Sequence, residues 1–558
     1  MKALGFKTTD FFILFFLLIN ALKIFIFDLI LSFNDLFWIK GLIFNFGTTF
    51  LFVSMLFIIL FGFGRKKWVV AFYCVQLVYL AVNLIYFNYF KSYLYFGCIT
   101  SLFSEGFFLF KNFSLPLWQN NNLCILLIDL PFLAVILFFF ERLKGTAIII
   151  NRRLIVSSGF VFIFLIFSIV YMLNKMPFSY RNNHFTGDMS MVRCYGVLTL
   201  TIVDFISTDM DTNKKEIVLS TNKISGKPLP QKFNIILIQL ESVDSNILNY
   251  KYNGKYIMPF LNSLTRKSIY YPYVLSYHMG GGTSDSEYAI INSVEPLMRF
   301  PAIKIKDYGY PNSMVKLFFK AGYETIAFHG NTGSFFNRNR AFLDMGYLSF
   351  FDINNMKLNS DDHWGANDES VFNYVVEYSK KSRRPFFYHI ITVSSHEPFK
   401  GISAYYVNAE YDTVKENAVK NYYNSMSYVD KSIEKIWPSI SNLKNTYIFI
   451  YGDHCPGITR SKIFVQSSFT SDGIYFEFVP LLIITPDSKI RRENKIVSSL
   501  LDFAPTILAA SGIEYELYSD GRNLLESQLK NDKINFKGKR YEREFLFNSV
   551  SQTVVEEK

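Results

Sequence analysis

The chain has 558 residues, half of them hydrophobic and 18% aromatic, and carries a formal net charge of +11. That length accommodates two or more domains, and the positive balance suits a protein working near anionic lipid. There is no compact basic cluster or recognition motif for nucleic acid, and the five cysteines have no CxxC spacing, which excludes a zinc-finger frame and a disulfide framework.

A mean hydropathy of +0.19 averages two unlike parts. Up to about residue 175 the chain is dominated by Phe, Leu and Ile. Five apolar runs approach the ~20 residues that span a bilayer: Phe11–Phe33, Leu42–Phe63, Trp68–Phe90, Leu123–Phe140 and Leu154–Leu173. Lys2 and Lys7 precede the first run, but it is too long for a signal-peptide core and is read as uncleaved. Asp129, inside the fourth run, is either a polar contact between helices or a functional residue. Lys2, Lys7, the Arg65-Lys66-Lys67 loop and the loop with Arg142, Lys144, Arg152 and Arg153 fall on one side of five spans. The positive-inside rule therefore predicts a cytoplasmic N-terminus, with everything after Leu173 outside. The predicted organisation is a five-helix transmembrane domain over 1–174, an interfacial helix (Val197–Ile206) and polar linker (Asp209–Lys227) within 175–230, and an extracellular α/β domain over 231–558.

From Phe233 the pattern changes. Short apolar runs at Phe233–Leu240, Thr325–Phe328, Phe386–Val393, Thr446–Tyr451 and Val479–Ile484 read as buried strands. Helical segments such as Asn312–Ala321 and Glu369–Lys380 lie between them. The alternation predicts a mostly parallel sheet covered by helices, in which ligands bind beyond the carboxyl ends of the strands. Polar residues stand at those ends: Glu241, His329, Ser394-Ser395-His396 and Asp453-His454. A lone histidine at such a place is more often structural. Four strand ends that each close on a carboxylate or an imidazole point to a metal or catalytic centre, and Glu, Asp, His and a Thr oxygen suit a divalent ion. The threonine is Thr283, in Met279–Asn292, MGGGTSDSEYAIIN. Ser284 and Glu287 have capping-box spacing, which places Thr283 just ahead of a helix N-terminus. Unpaired N–H groups there favour a phosphate or a developing alkoxide. A glycine-rich turn before an ordinary capped helix has the same local pattern.

The motifs IQLES (Ile238–Ser242), GGGTSDSEY (Gly280–Tyr288), FHGNTGSFFNR (Phe328–Arg338), TVSSHEPF (Thr392–Phe399), YGDHCPG (Tyr451–Gly457) and LLDFAPTILAASGI (Leu500–Ile513) occur in an order that resembles the lipoteichoic acid synthase family. In that family five membrane helices precede a sulfatase-like domain of the alkaline-phosphatase superfamily. The resemblance implies a metal held by Glu241, Thr283, Asp453 and His454, with Thr283 as nucleophile. It implies a substrate site of Arg338, His396, His329 and Phe336. The implied cofactor is one divalent ion, Mn2+ first, with Zn2+ and Mg2+ as alternatives. The implied reaction moves glycerol phosphate from phosphatidylglycerol to a glycolipid or glycan acceptor through a phosphothreonine. A threonine, with no formylglycine motif around it, argues for phosphorus rather than sulfate esters. Two departures stand out: Phe336 replaces a frequent Trp, and Gly281-Gly282 replaces the family's glycine-lysine. Cys455, beside the expected ligands, reads as a reactive thiol, and its pairing with Cys194 is left open. The alternatives are a phosphoethanolamine transferase and a non-catalytic sulfatase-like binding protein.

Overall fold

The computed structural model describes residues 8–32, 45–54, 66–90, 93–94, 126–138, 192, 196–207 and 220–555, the last without 299–300, 306–307, 361–363, 401, 403–406, 459–460, 472–473, 488–489, 495 and 527–532. The chain divides into two compact units, Met1–Met210 and Asp211–Lys558.

The first unit contains helices α1 (Thr8–Ser32), α2 (Lys66–Phe90), α3 (Leu130–Phe138) and α4 (Val197–Ser207). Phe16, Ile24, Phe27, Leu80, Leu84 and Leu133 form its apolar core. A polar network is buried inside it. Lys23 Nζ lies 2.9 Å from Asp129 Oδ2 with both side chains fully enclosed, and Gln76 Oε1 accepts from Lys23 and Asn20 at 2.9 and 3.0 Å. Asp129 therefore makes a polar contact between helices. The backbone N–H of Val197 donates to Asp28 Oδ1 at 3.3 Å, so α4, the expected interfacial helix, starts on a carboxylate of α1. Among the described residues no helix is long and apolar enough to cross a membrane. Helices α1 and α2 overlap the expected spans Phe11–Phe33 and Trp68–Phe90. The expected span Leu154–Leu173 lies outside the described residues, as do parts of Leu42–Phe63 and Leu123–Phe140 and most of the linker. The end of that linker, Lys223–Gly226, is a strand paired antiparallel with Tyr515–Tyr518.

The second unit is built on a ten-stranded sheet. Its strands are β1 (Asn234–Leu240), β2 (Ile269–Leu275), β3 (Glu324–His329), β4 (Ser349–Phe351), β5 (Phe386–Ile391), β6 (Thr446–Gly452), β7 (Ser468–Ser471), β8 (Ile474–Ile484), β9 (Arg492–Glu493) and β10 (Ser498–Ser499). The order is β9-β2-β8-β6-β1-β5-β3-β4. Strands β6, β1, β5, β3 and β4 run parallel. The sheet is mixed, however, because β8 is antiparallel to β2, β6 and β7.

Successive residues of β1 point to opposite faces, and both faces are covered, which is why its sequence is a continuous apolar run. Ile236, Ile238 and Leu240 join Val371 and Phe372 of the helix Asp368–Ser379 and Tyr422, Met426 and Val429 of the helix Asn417–Ser441 in one core. On the other face Phe387 stacks on Phe318 at 4.8 Å and Tyr451 meets Phe503 at 5.0 Å. The helices are α5 (Thr283–Asn292), α6 (Met314–Lys320), α7 (Arg338–Asp344), α8 (Asp368–Ser379), α9 (Asn417–Ser441) and α10 (Phe503–Ser511). The five expected strands and both expected helices are present, with ends shifted by a few residues. Strand β2 carries Pro272, a residue that argues against a strand interior, and sequence periodicity did not single it out. Strand β8 begins five residues before the expected Val479, and its pairing with β2 shifts register between Val479 and Leu481, on either side of Pro480.

Candidate active site

Four neighbouring strands, in sheet order β6, β1, β5 and β3, run in the same direction, so their carboxyl ends share one edge. Leu240 of β1 lies opposite Gly452 of β6. The next residues, Glu241 and Asp453, therefore emerge side by side, followed by His454. Ligand atoms of Glu241, Asp453 and His454 all lie within 4.8 Å of one another, and the three residues are buried. Thr283 Oγ1 donates to Glu241 Oε2 at 3.0 Å and stands 3.3 Å from His454 Nε2. The four expected ligands thus converge from three elements.

The surrounding bonds hold each donor in place. Ser242, at φ +58°, donates its N–H to Asp453 Oδ1 at 2.8 Å and its hydroxyl to Glu241 Oε1 at 2.8 Å. The hydroxyls of Ser276 and Ser286 donate to the Asp453 carbonyl at 2.6 and 2.7 Å. His454 Nδ1 donates to the Cys455 carbonyl at 2.9 Å, which leaves Nε2 as the ring atom toward the cluster.

Helix α5 begins differently from the capping-box expectation. Thr283 is its first residue, and the N-cap is Gly282 with no side-chain cap. Gly282 sits at φ +57°, in the region that favours glycine. Glu287 does not reach back to the cap. A buried guanidinium needs a counter-charge, and Arg338 takes the carboxylate instead. The glycine loop is held by Asp285, whose Oδ2 accepts from the N–H groups of Met279 and Gly281 at 3.0 and 2.7 Å. A Cβ on Gly281 would lie 2.4 Å from Ser284 Oγ and 2.5 Å from Asp285 Oδ1. Burial pushes the Asp285 carboxyl up to about 8.

Charge in the cluster fits a cation. Burial raises Asp453, and the neighbouring Glu241 adds to this. Burial also works to raise Glu241, but His396 and His454 overturn it and hold that carboxyl well below the usual range. Burial opposes a charged His454, yet Asp453 and Glu241 lift its pKa well above that of a free histidine. Two enclosed carboxylates and an imidazole thus share protons at one point. Divalent ions displace protons from such oxygen and nitrogen donors, and the threonine hydroxyl is a fourth oxygen of the same kind.

The expected substrate residues surround this cluster less closely. His396, half-buried past the end of β5, stacks on Trp364 with ring centroids 3.8 Å apart. The turn before it is pinned by Asp368, the first residue of α8, whose Oδ1 accepts from the Val393 N–H at 2.7 Å. His329 is buried, and its Nδ1 donates to the Ile391 carbonyl at 3.1 Å. Burial and then the Arg338 charge depress its pKa to about 3, so it is neutral. Phe336, at φ +55°, lies beneath Lys304 Nζ at 4.4 Å and Arg338 Cζ at 5.6 Å. Cys455 departs from expectation. It is a buried free cysteine whose Sγ donates to Asp244 Oδ2 at 3.1 Å, and burial pushes its thiol well above the usual range. It is therefore unreactive. Cys194 lies outside the described residues.

Sequence reasoning missed a buried polar layer under the site. Gln239 Nε2 lies 3.5 Å from Asp453 Oδ2, and its Oε1 accepts from Tyr451 OH at 2.6 Å and from His389 Nε2 at 3.1 Å. His389 Nδ1 accepts from Tyr347 OH at 3.0 Å. The signal was available, since Gln239 and His389 are polar residues inside apolar strand runs, where buried polar groups need partners. His278, also missed, stacks on His454 at 4.5 Å and bonds Glu477 Oε2 at 3.0 Å.

Residues 233–513, half of the chain, match the family model described as Sulfatase. Lipoteichoic acid synthase 1 of Bacillus subtilis (strain 168) is 27% identical over 377 residues, 62% of this chain and 58% of that protein. Lipoteichoic acid synthase 2 of the same organism is 29% identical over 310 residues, 53% and 47% of the two chains. The chain thus spans about half the length of these curated relatives. Among solved structures, the integral membrane protein lipooligosaccharide phosphoethanolamine transferase A of Neisseria meningitidis superposes with a TM-score of 0.57 at 13% identity, covering 92% of this chain and 96% of that one. At that identity the likeness is one of fold.

Proposed function

The chain belongs to the sulfatase family, and from that premise we propose that it is a metal-dependent phosphotransferase that moves glycerol phosphate from phosphatidylglycerol to a teichoic-acid-like polymer or an envelope glycan. One observation carries the reading: a threonine hydroxyl at the first position of a helix lies within 3.3 Å of a glutamate and a histidine that share a cluster with Asp453. Glu241, Thr283, Asp453 and His454 would hold the ion. A divalent cation bound there, Mn2+ first among candidates, favours the alkoxide of Thr283 and offsets charge on the phosphate.

The rest falls to the chain's own groups. Thr283 Oγ1 attacks the phosphorus of the lipid, the bond to the diacylglycerol oxygen breaks, and that oxygen takes a proton as it leaves. An acceptor hydroxyl then attacks the phosphothreonine and restores Thr283. The N–H groups of Ser284 and Asp285 are taken by the carbonyls of Gly281 and Gly282 at 3.2 and 2.9 Å, so it is the positive end of the α5 dipole that favours the phosphate oxygens. Arg338, His396 and neutral His329 contact the phosphate or glycerol, with Phe336 as apolar wall. The similarity to lipoteichoic acid synthases supports this substrate class. We place the N-terminal unit in the membrane with five spans and the catalytic unit on the outer side, a reading supported by the apolar runs and by the one-sided basic loops.

The test is to incubate the full-length protein with Mn2+ and phosphatidylglycerol labelled in its head group, and to identify both products. Diacylglycerol together with a labelled acceptor is expected. Transfer from labelled phosphatidylethanolamine alone would replace glycerol phosphate by ethanolamine phosphate, and no turnover of either lipid would sink the enzymatic reading.

A further inference from the structure

Helix α5 carries more than the nucleophile. Glu287 lies four residues after Thr283, one turn along the same helical face. Its carboxylate is fully enclosed and takes Arg338 Nε at 3.0 and 3.1 Å and Nη2 at 2.8 Å, with Arg338 itself 3% exposed. A guanidinium gripped along its Nε–Nη2 edge has its plane and its remaining N–H groups set in direction. The Arg338 charge reaches His329, at the end of β3. Gln239 lies near enough to Glu287 to favour its charged form, and its amide points to Asp453 Oδ2 at 3.5 Å. The carboxylate therefore sits between the arginine and the strand that ends in the expected metal ligands.

We propose that Glu287 is a positioning residue for phosphoryl transfer. It holds Arg338 so that the free N–H groups meet the equatorial oxygens of the phosphate at Thr283, and it ties that placement to the nucleophile through a single turn of α5. The proposal rests on the reading above, in which Arg338 contacts the phosphate. A lysine in place of Arg338 keeps the charge but loses the fork, so the arrangement depends on the pair as a unit.

The experiment uses the full-length protein on phosphatidylglycerol vesicles, with Glu287→Gln, Arg338→Gln and the double variant. Bound metal and thermal midpoint are read beside kcat and KM for diacylglycerol release. Glu287→Gln should lower kcat by about tenfold or more with bound metal retained, and the double variant should be no slower than Arg338→Gln alone, because residues acting as one unit are non-additive. A carboxylate that merely stabilises the fold would shift the midpoint and leave kcat in place, or give losses that multiply in the double variant. Either outcome overturns the proposal while leaving the role of Arg338 intact. An Arg338→Gln enzyme of wild-type activity would instead remove Arg338 from the reaction. Glu287→Asp keeps the charge balance and carries the same test if Glu287→Gln does not fold: reduced kcat is expected, and wild-type kcat in that variant overturns the proposal.

Discussion

Replacing Thr283 with alanine should separate stability from chemistry. The side chain does not cap α5, since the N-cap is Gly282 and no side-chain cap bond is present. What is lost is one hydroxyl bond to Glu241 at 3.0 Å and a 3.3 Å contact with His454. A bond of this kind contributes about 1 kcal/mol. The second unit, Asp211–Lys558, has 348 residues. At ~2.1 cal/mol/K per residue its unfolding entropy is about 0.7 kcal/mol/K, so the midpoint should fall by about 1–2 °C. Transfer should fall on the order of 10³-fold or more, because the attacking atom is gone. The assay follows diacylglycerol release and the mass of the intact protein, which gains a glycerol phosphate in wild type under a limiting acceptor and none in the variant. Thr283→Ser, which keeps a hydroxyl, should retain part of the rate. A Thr283→Ala protein that still releases diacylglycerol near the wild-type rate would refute covalent catalysis here and reduce the glycine loop to an ordinary turn before a helix.

Asp453→Ala should lower bound metal in the purified full-length protein, measured by elemental analysis, because it removes one of three ligand groups that lie within 4.8 Å. Equal metal in variant and wild type would take Asp453 out of the site. Cys455, buried and bonded to Asp244, should resist an alkylating reagent at pH 8 in the native protein and react once it is unfolded. Rapid native labelling would contradict its burial. A protease added to intact cells should release a soluble fragment beginning between about Asp209 and Lys227, as the one-sided basic loops imply. Protection of that segment with cleavage at Arg65–Lys67 would invert the orientation.

The apolar runs of β1, β3, β5 and β6 were legible in the sequence because a strand buried on both faces must be apolar along its length. Parallel direction then forces the polar residues that follow them to one edge. Glu241, His329, His396, Asp453 and His454 could therefore be named before any contact was known. Thr283 was legible for a similar local reason, a glycine run ahead of a helical pattern. The partner of Glu287 was not. Its spacing from Ser284 is that of a capping box, and only packing brings Arg338, 51 residues away, against it. A buried guanidinium outweighs a cap contact, so tertiary structure decided the role of that carboxylate. The same holds for Cys455, whose neighbours in sequence are the expected ligands but whose thiol is directed to Asp244, 211 residues away. The antiparallel course of β8 was equally hidden, since an apolar run has no direction until its neighbours pair with it. Local pattern determined which residues end the strands and where the hydroxyl stands. Pairing across the fold decided which charges compensate one another, because that depends on distances no single segment contains.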